Sequence, residues 1–469
     1  MTHRVIAFFT MVAAVLTLTG CSSFDGQKIR REHVERYRQT LEQKAEDVLS
    51  PGEQVNLEDC IRLALENNLD IRVAEVQQQV AQLGRKVSFS QFLPRINLNY
   101  NYTRWDPQPE IVTGGHSQPM HDERIRELTL NIQMSVFNPS TWFMHALHKR
   151  GEEIAEIAAN YTRQMIVLQV TIYYYYCLGL QEIQKVLDSR IRAAEKLVDQ
   201  LQHYQTEGLV FAWQSDQART NLQSQRLQRQ RVRQLLDQTR GQLLTVMGFS
   251  PLHSLELDVS ESMTAPQGNL EDVITEALLN HPRLRIADRA IAIEKEKMKI
   301  ALSGFLPSLT GFADRVNTSD AFQRYSSYWM MGLSGVLTVF NGFANLYEYD
   351  AAKENVKKSA LEREQATLTL MLEVFRAYQN LQLAQDAVTI AEENYHATRA
   401  HYNQVYLQWQ EGLVDVTDLM SILAEKDLAE MIRINSQFQV QITIATLLNA
   451  MGKTKIDYEE FTNDGQSEE

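Results

Sequence analysis

The sequence predicts an α-dominated chain with a β-barrel portion, folded as a tandem repeat. Three observations carry that fold class. Two pairs of segments place apolar residues at every second position, two very long segments place them at every third or fourth, and the same landmarks return 203 to 213 residues later. Period two is a strand with one apolar and one wet face, and period 3.6 is a helix with an apolar stripe.

The duplication fixes the domain plan. Asn56-Leu57-Glu58-Asp59 returns as Asn269-Leu270-Glu271-Asp272, and Phe92-Leu93-Pro94 as Phe305-Leu306-Pro307, both at an offset of 213. Val136-Phe137-Asn138 returns as Val339-Phe340-Asn341 at 203, and Glu207-Gly208-Leu209-Val210 as Glu411-Gly412-Leu413-Val414 at 204. A loop of the first hairpin is therefore about ten residues longer than its counterpart. So many ordered matches define two repeats, 56–262 and 263–453.

Residues 1–20 read as a secretory signal: His3-Arg4, then an apolar run from Val5 to Leu18 that is too short for a mature membrane helix. The run ends in Leu18-Thr19-Gly20-Cys21, which resembles the bacterial lipoprotein box. That resemblance implies cleavage before Cys21 and its lipidation, and Ser22 in place of Asp implies outer-membrane sorting. The plain alternative is an ordinary signal followed by an incidental cysteine. Residues 21–55 read as a polar, partly helical tether.

Each repeat then follows one plan. A helix comes first (Leu57–Ser90; Leu270–Ser303), with Asn56 or Asn269 as N-cap. A strand pair follows, about 94–105 with 126–137 and about 308–315 with 326–340. In the first pair Ile96, Leu98, Tyr100 and Tyr102, then Leu128, Leu130, Ile132 and Met134, alternate with Asn, Thr, Gln and Arg. A tilted strand of about ten residues spans a bilayer, and a wet face of that composition suits a water-filled lumen. The competing reading is a soluble hairpin laid on a core. The connections 106–124 and 315–325 are rich in Pro, Gly, Asp, Ser and His and fit exposed loops.

A very long helix comes next, Pro139–Glu207 in the first repeat and Phe343–Glu411 in the second. At 1.5 Å per residue each is roughly 100 Å long. Met165, Leu168, Ile172, Tyr175, Leu187, Ile191, Ala194, Leu201 and Tyr204 trace a coiled-coil stripe. Gly208 and Gly412 turn the chain into return helices, Leu209–Met247 and about Asp415–Met451. A polar tail, 454–469, closes the chain.

Composition narrows the function. A net charge of −13 argues against a general nucleic-acid binder, and no run of about 18 apolar residues offers a membrane helix. The arginines between Arg226 and Arg240, interleaved with glutamine, read as a solvated coiled-coil face. His145 with His148, and His116 with His121, have no third ligand at metal spacing. No nucleophile elbow, phosphate loop or dinucleotide fingerprint occurs. The reading is therefore not an enzyme, with no cofactor and no metal. Four strands per chain leave two open edges that hydrocarbon cannot solvate, so copies of the chain must close the barrel together. Eight, twelve or sixteen strands would all close it.

In this order and duplication, the landmarks resemble the TolC-like outer-membrane efflux proteins over residues 21–453, especially their lipidated members. The resemblance implies a homotrimer with a 12-stranded barrel and a 12-helix periplasmic tunnel. It implies docking, at tips Gly208-Leu209-Val210 and Gly412-Leu413-Val414, to a periplasmic adaptor that joins an inner-membrane transporter. It also implies that Asp415 and Asp418 line a periplasmic constriction. Capping of a helix by the same two acids is the alternative. The expected function is a passive exit duct for efflux or type I secretion, in the outer membrane and in contact with its lipid. The rival is a lipid-anchored periplasmic coiled-coil scaffold.

Overall fold

The computed structural model describes residues 25–48, 54–258 and 262–454. The leader 1–20, Cys21 and all of the tail beyond Thr454 lie outside the described residues. Helix α1 (Gly26–Val48) comes first. The first repeat then runs β1 (Gln54–Val55), α2 (Leu57–Asn67), α3 (Leu69–Ser90), β2 (Arg95–Arg104), β3 (Glu110–Thr113), β4 (His116–Pro119), β5 (Arg124–Phe137), α4 (Pro139–Thr206) and α5 (Ala212–Val246). The second runs β6 (Glu256–Leu257), α6 (Leu270–Asn280), α7 (Pro282–Ser303), β7 (Ser308–Thr318), β8 (Ser327–Val336), α8 (Ala344–Gln410) and α9 (Val416–Ala450). Helix dominates, and none of the described helices is long and apolar enough to cross a membrane.

Each expected first helix is in fact two. In repeat one the break falls at Asn68, whose N–H still donates to Ala64 O while its side chain accepts from the N–H groups of Asp70 and Ile71. Asn68 thus ends one helix and caps the next. In repeat two His281 stands at the same place, with Pro282 after it. Proline has no N–H to continue the ladder and biases its predecessor to extended backbone, and His281 is extended at φ −65°, ψ 128°. The apolar stripe continues through both joints, which is why periodicity alone reads straight across them. Asn56 and Asn269 cap the first segments by accepting from Asp59 N–H and Asp272 N–H.

Each joint rests on a glycine. Gly248 follows α5 at φ +80°, and a Cβ there would lie 2.4 Å from Asn67 O. Gly452 follows α9 at φ +70°, where a Cβ would lie 3.0 Å from His281 Cα. The surrounding cores repeat the same logic. Cys60, Ala64, Ile71, Val170, Leu243 and Met247 are buried together in one. Val273, Ala277, Leu284, Val374, Leu447 and Met451 are buried together in the other.

The sheet order is β2-β5-β7-β8, antiparallel throughout. The two repeats join at β5–β7, leaving β2 and β8 as edges. Register carries one parity across all four strands: Ile96 faces Ile132, which faces Ala313, which faces Met331. Leu98, Leu130, Met134 and Leu333 share that face, while Asn97, Asn131 and Asp314 share the other. The return strand of repeat two stops at Val336, four residues short of 340, because its partner β7 begins at Ser308, directly opposite. The ten extra residues of the first hairpin form a second one, Glu110–Pro119, turned by Gly114 and Gly115.

Two predictions follow from the joints. Left-handed backbone costs a Cβ-bearing residue about 1–2 kcal/mol. Gly208→Ala, at φ +74° in open space, should lose about that much in equilibrium unfolding, and Gly248→Ala clearly more because of its overlap with Asn67. Equal losses would remove the packing role. The second concerns pH. His281 is buried, and burial, with Arg283 beside it, lowers its pKa to about 4. Its Nδ1 accepts from Arg283 N–H, a bond only the neutral ring can make. The contribution is present above the unfolded value of about 6.5 and is lost as pH falls from there through about 4. His281→Asn, which copies Asn68, should flatten melting temperature against pH over that window.

Candidate functional site

The chemistry-bearing residues gather at the helical tips, at the end of the chain farthest from the sheet. Both tips close identically. Leu209 N–H donates to Tyr204 O and Leu413 N–H to Gln408 O, each at 2.8 Å, around glycines at φ +74° and +72°. This six-residue closure needs left-handed backbone at its centre, which glycine adopts without steric cost. Val210 and Val414 turn inward against the tip cores. Leu209 and Leu413 point outward, 67% and 69% exposed. Further along the first tip, within the Glu207–Trp213 segment that sequence reading assigned to docking, Phe211 is 71% exposed and Trp213 more than half exposed.

Asp415 and Asp418 occupy different settings. Asp415 is the N-cap of α9. Its Oδ1 accepts from Val416 N–H at 2.6 Å and its Oδ2 from Thr417 Oγ1 at 3.2 Å. Oδ1 also accepts from Gln214 Nε2 at 2.8 Å. The same Gln214 side chain accepts Phe211 N–H through Oε1 at 2.8 Å, so one amide caps α5 and bridges to the cap of α9. Asp415 therefore ties the two tips of one chain together. Asp418 lies in the first turn of α9 and is exposed.

The structure also settles the alignment of the two tips. Helices α5 and α9 begin 204 residues apart, so Phe211 stands at the position of Asp415 and Gln214 at that of Asp418. Asp216 corresponds to Met420 and pairs with Arg219 on its own helix. An acidic cap is thus present at one tip of each chain.

Above the tips lies a buried ion pair that no sequence motif announces. Arg190 of α4 places Nε 2.6 Å from Asp427 Oδ2 of α9, and Lys426 Nζ is 3.5 Å from Oδ1. The Asp427 side chain is 1% exposed and that of Arg190 11%. Burial pushes the Asp427 carboxyl above its ordinary range, against the opposing pull of Arg190 and Lys426. Lys426 also lies over the Tyr402 ring of α8, 5.1 Å from its centroid. The Asp427 carboxylate therefore links the first repeat's long helix to α9, and Lys426 beside it reaches α8. The arginines of α5 behave as a coiled-coil face: Arg226 pairs with Glu195 and Arg229 with Asp188, both on α4. Among the described residues no three histidines, cysteines or acids converge as a metal site would require. His145 instead contacts Ser88, and His121 contacts Asp320.

Comparison with known proteins gives a consistent result. The family model described as outer membrane efflux protein matches residues 60–249 and 273–453. No curated protein sequence matches the chain. Solved structures match along most of its length. The CmeC outer membrane channel of Campylobacter jejuni is 16% identical, with TM-score 0.75 over 87% of this chain and 88% of its own. The outer membrane protein VceC of Vibrio cholerae is 16% identical, with TM-score 0.72 over 84% and 96%. The open state of the MtrE outer membrane channel of Neisseria gonorrhoeae is 16% identical, with TM-score 0.71 over 85% and 89%. At such identity the likeness is one of fold.

The ion pair makes a sharp prediction. Asp427→Ala leaves Arg190 buried without its carboxylate and should cost about 3–5 kcal/mol in equilibrium unfolding. Replacing both with apolar residues, Arg190→Met with Asp427→Leu, should cost far less or nothing. A double variant as unstable as the single one would show that charge pairing is not what the site supplies.

Proposed function

The chain belongs to the outer membrane efflux protein family, and from that premise we propose that it is the passive exit duct of a tripartite efflux or type I secretion system. The observation that carries the reading is the four-stranded sheet with one continuous apolar face and two unpaired edges, β2 and β8. In hydrocarbon an open edge leaves N–H and C=O groups unpaired at several kcal/mol each. Joining β8 of one copy to β2 of the next removes both edges. Three copies make a 12-stranded barrel whose wet face, with Asn97, Asn131 and Asp314, lines the lumen.

Below the membrane the long hairpins of three copies form a 12-helix periplasmic tunnel. Its lower end is closed by the tips. In this reading Asp418, exposed on the first turn of α9, contributes to a ring of three carboxylates near the axis that attracts cations and repels anions. Asp415 acts differently: through Gln214 it holds the two tips of a chain in the closed arrangement. The tips Gly208-Leu209-Val210 and Gly412-Leu413-Val414, with Leu209 and Leu413 outward, supply the docking surface for a periplasmic adaptor, which joins an inner-membrane transporter. Lipidation of Cys21 anchors the chain to the same membrane. Energy comes from the pump, and the duct performs no catalysis.

Planar-bilayer conductance tests this directly. The purified protein should give discrete steps of low conductance. Asp418→Ala should weaken cation selectivity, and Asp415→Ala should raise conductance several-fold by releasing the tips. A protein that stays silent even with both aspartates replaced would rule out the duct.

A further inference from the structure

The sheet register assembles a feature that the strands do not show singly. Arg104 ends β2 and stands directly opposite Arg124, which begins β5. Arg126, two residues on, stands opposite Tyr102, and Arg315 of β7 stands opposite both Leu130 and Trp329. All four arginines keep the parity of Leu98, Leu128 and Ile132, so they project from the apolar, outward face of the sheet. Arg104, Arg124 and Arg126 occupy its end away from the helices, and Arg315 lies near mid-strand opposite Leu130. Strand rise places Arg124 and Arg126 about 7 Å apart along β5, with Arg315 about 13 Å further toward the membrane centre.

Their charge is largely uncompensated. Glu123 Oε1 lies 3.2 Å from Arg104 Nε and 3.6 Å from Arg124 Nε, one carboxylate for two guanidinium groups. Among the described residues Arg126 and Arg315 have no ion-pair partner; Arg315 instead lies over the Trp329 ring at 5.5 Å. Two of the nearby loop acids make hydrogen bonds within the loops. Asp320 accepts from His121 and from Asp122 N–H, and Asp122 accepts from Ala321 N–H. Glu127 and Asp314 lie on the opposite face. Like charges directly opposite across strands are destabilising, and the single Glu123 carboxylate shared by Arg104 and Arg124 leaves this pair with a net positive charge that a further anion would offset.

We propose that Arg104, Arg124, Arg126 and Arg315 form a binding site on the outside of the barrel for the phosphate groups of an outer-leaflet glycolipid. The proposal rests on the outer-membrane reading above. Guanidinium groups grip phosphate bidentately. Tyr100, Tyr102 and Trp329 share their face, and such aromatics sit where hydrocarbon gives way to headgroups. A patch graded in depth suits a headgroup with more than one phosphate, and Arg315 reaches it by extending its stem along the apolar face.

Native mass spectrometry of the delipidated, detergent-purified oligomer would test the site. The titrants are a bis-phosphorylated lipid A-type glycolipid, its dephosphorylated form, and phosphatidylglycerol. Wild type should bind the phosphorylated glycolipid at least ten-fold more tightly than either other lipid. Joint replacement Arg104→Gln, Arg124→Gln and Arg126→Gln should abolish that preference, while Arg95→Gln, on the wet face, should leave it intact. If the triple variant does not assemble, Arg126→Gln alone should lower the affinity several-fold. Unchanged affinity in the arginine variants, or equal binding of the dephosphorylated lipid or of phosphatidylglycerol, would overturn the proposal. Conductance separates the two readings: silence even with Asp415 and Asp418 replaced would count against the duct, whereas normal steps with arginine-independent lipid binding would count against this site alone.

Discussion

A strand edge in oil has nowhere to send its hydrogen bonds, and nearly every level of this chain answers to that constraint. Both repeats are needed to make even an arc of four strands, because the central pairing, β5 with β7, takes one strand from each. The arc still ends in two unpaired edges, β2 and β8. Apolar parity across the arc then decides which side meets lipid and which meets water, and a slip of one residue would invert every side chain.

The helical half obeys a different rule. There backbone bonds are satisfied within each helix, and what must be specified is how long rods lie against one another. The duplicated joint does this at the top, where Gly248 seats Asn67 and Gly452 seats the His281 turn. Lower down, two polar links cross between repeats, Arg190 to Asp427 and Gln214 to Asp415. Both attach first-repeat helices to α9. Buried polar links add little net stability compared with apolar packing, but they penalise wrong registers, because a shifted helix strands a charge.

Much of this was legible from residue order. The strands announced themselves because an apolar face set against a wet one forces alternation, and the repeats because Asn-Leu-Glu-Asp, Phe-Leu-Pro and Glu-Gly-Leu-Val keep their spacing. The helix breaks at Asn68 and His281 were not, since the apolar stripe that packs on the core runs through them; only Pro282 carried a signal, and in only one copy. The offset change from 213 to 203 gave the length of the insertion but not its hairpin form, as Glu110–Pro119 has no buried face to impose a pattern. The Arg190–Asp427 link was out of reach, because pairing across 237 positions leaves no local trace. The equivalence of Phe211 and Asp415, by contrast, lay in the shared tip motif and needed only the helix starts to fix it.

The seam between β5 and β7 also has a bearing on biogenesis. It joins Glu127 to Thr318, so synthesis must pass deep into the second repeat before that pairing can begin. The first helical hairpin closes through contacts within the first repeat, beginning at its tip, and is free to form long before then. A newly exported chain can therefore pair β2 with β5 and raise its first rods early, while the other edge of β5 waits for sequence that has yet to arrive.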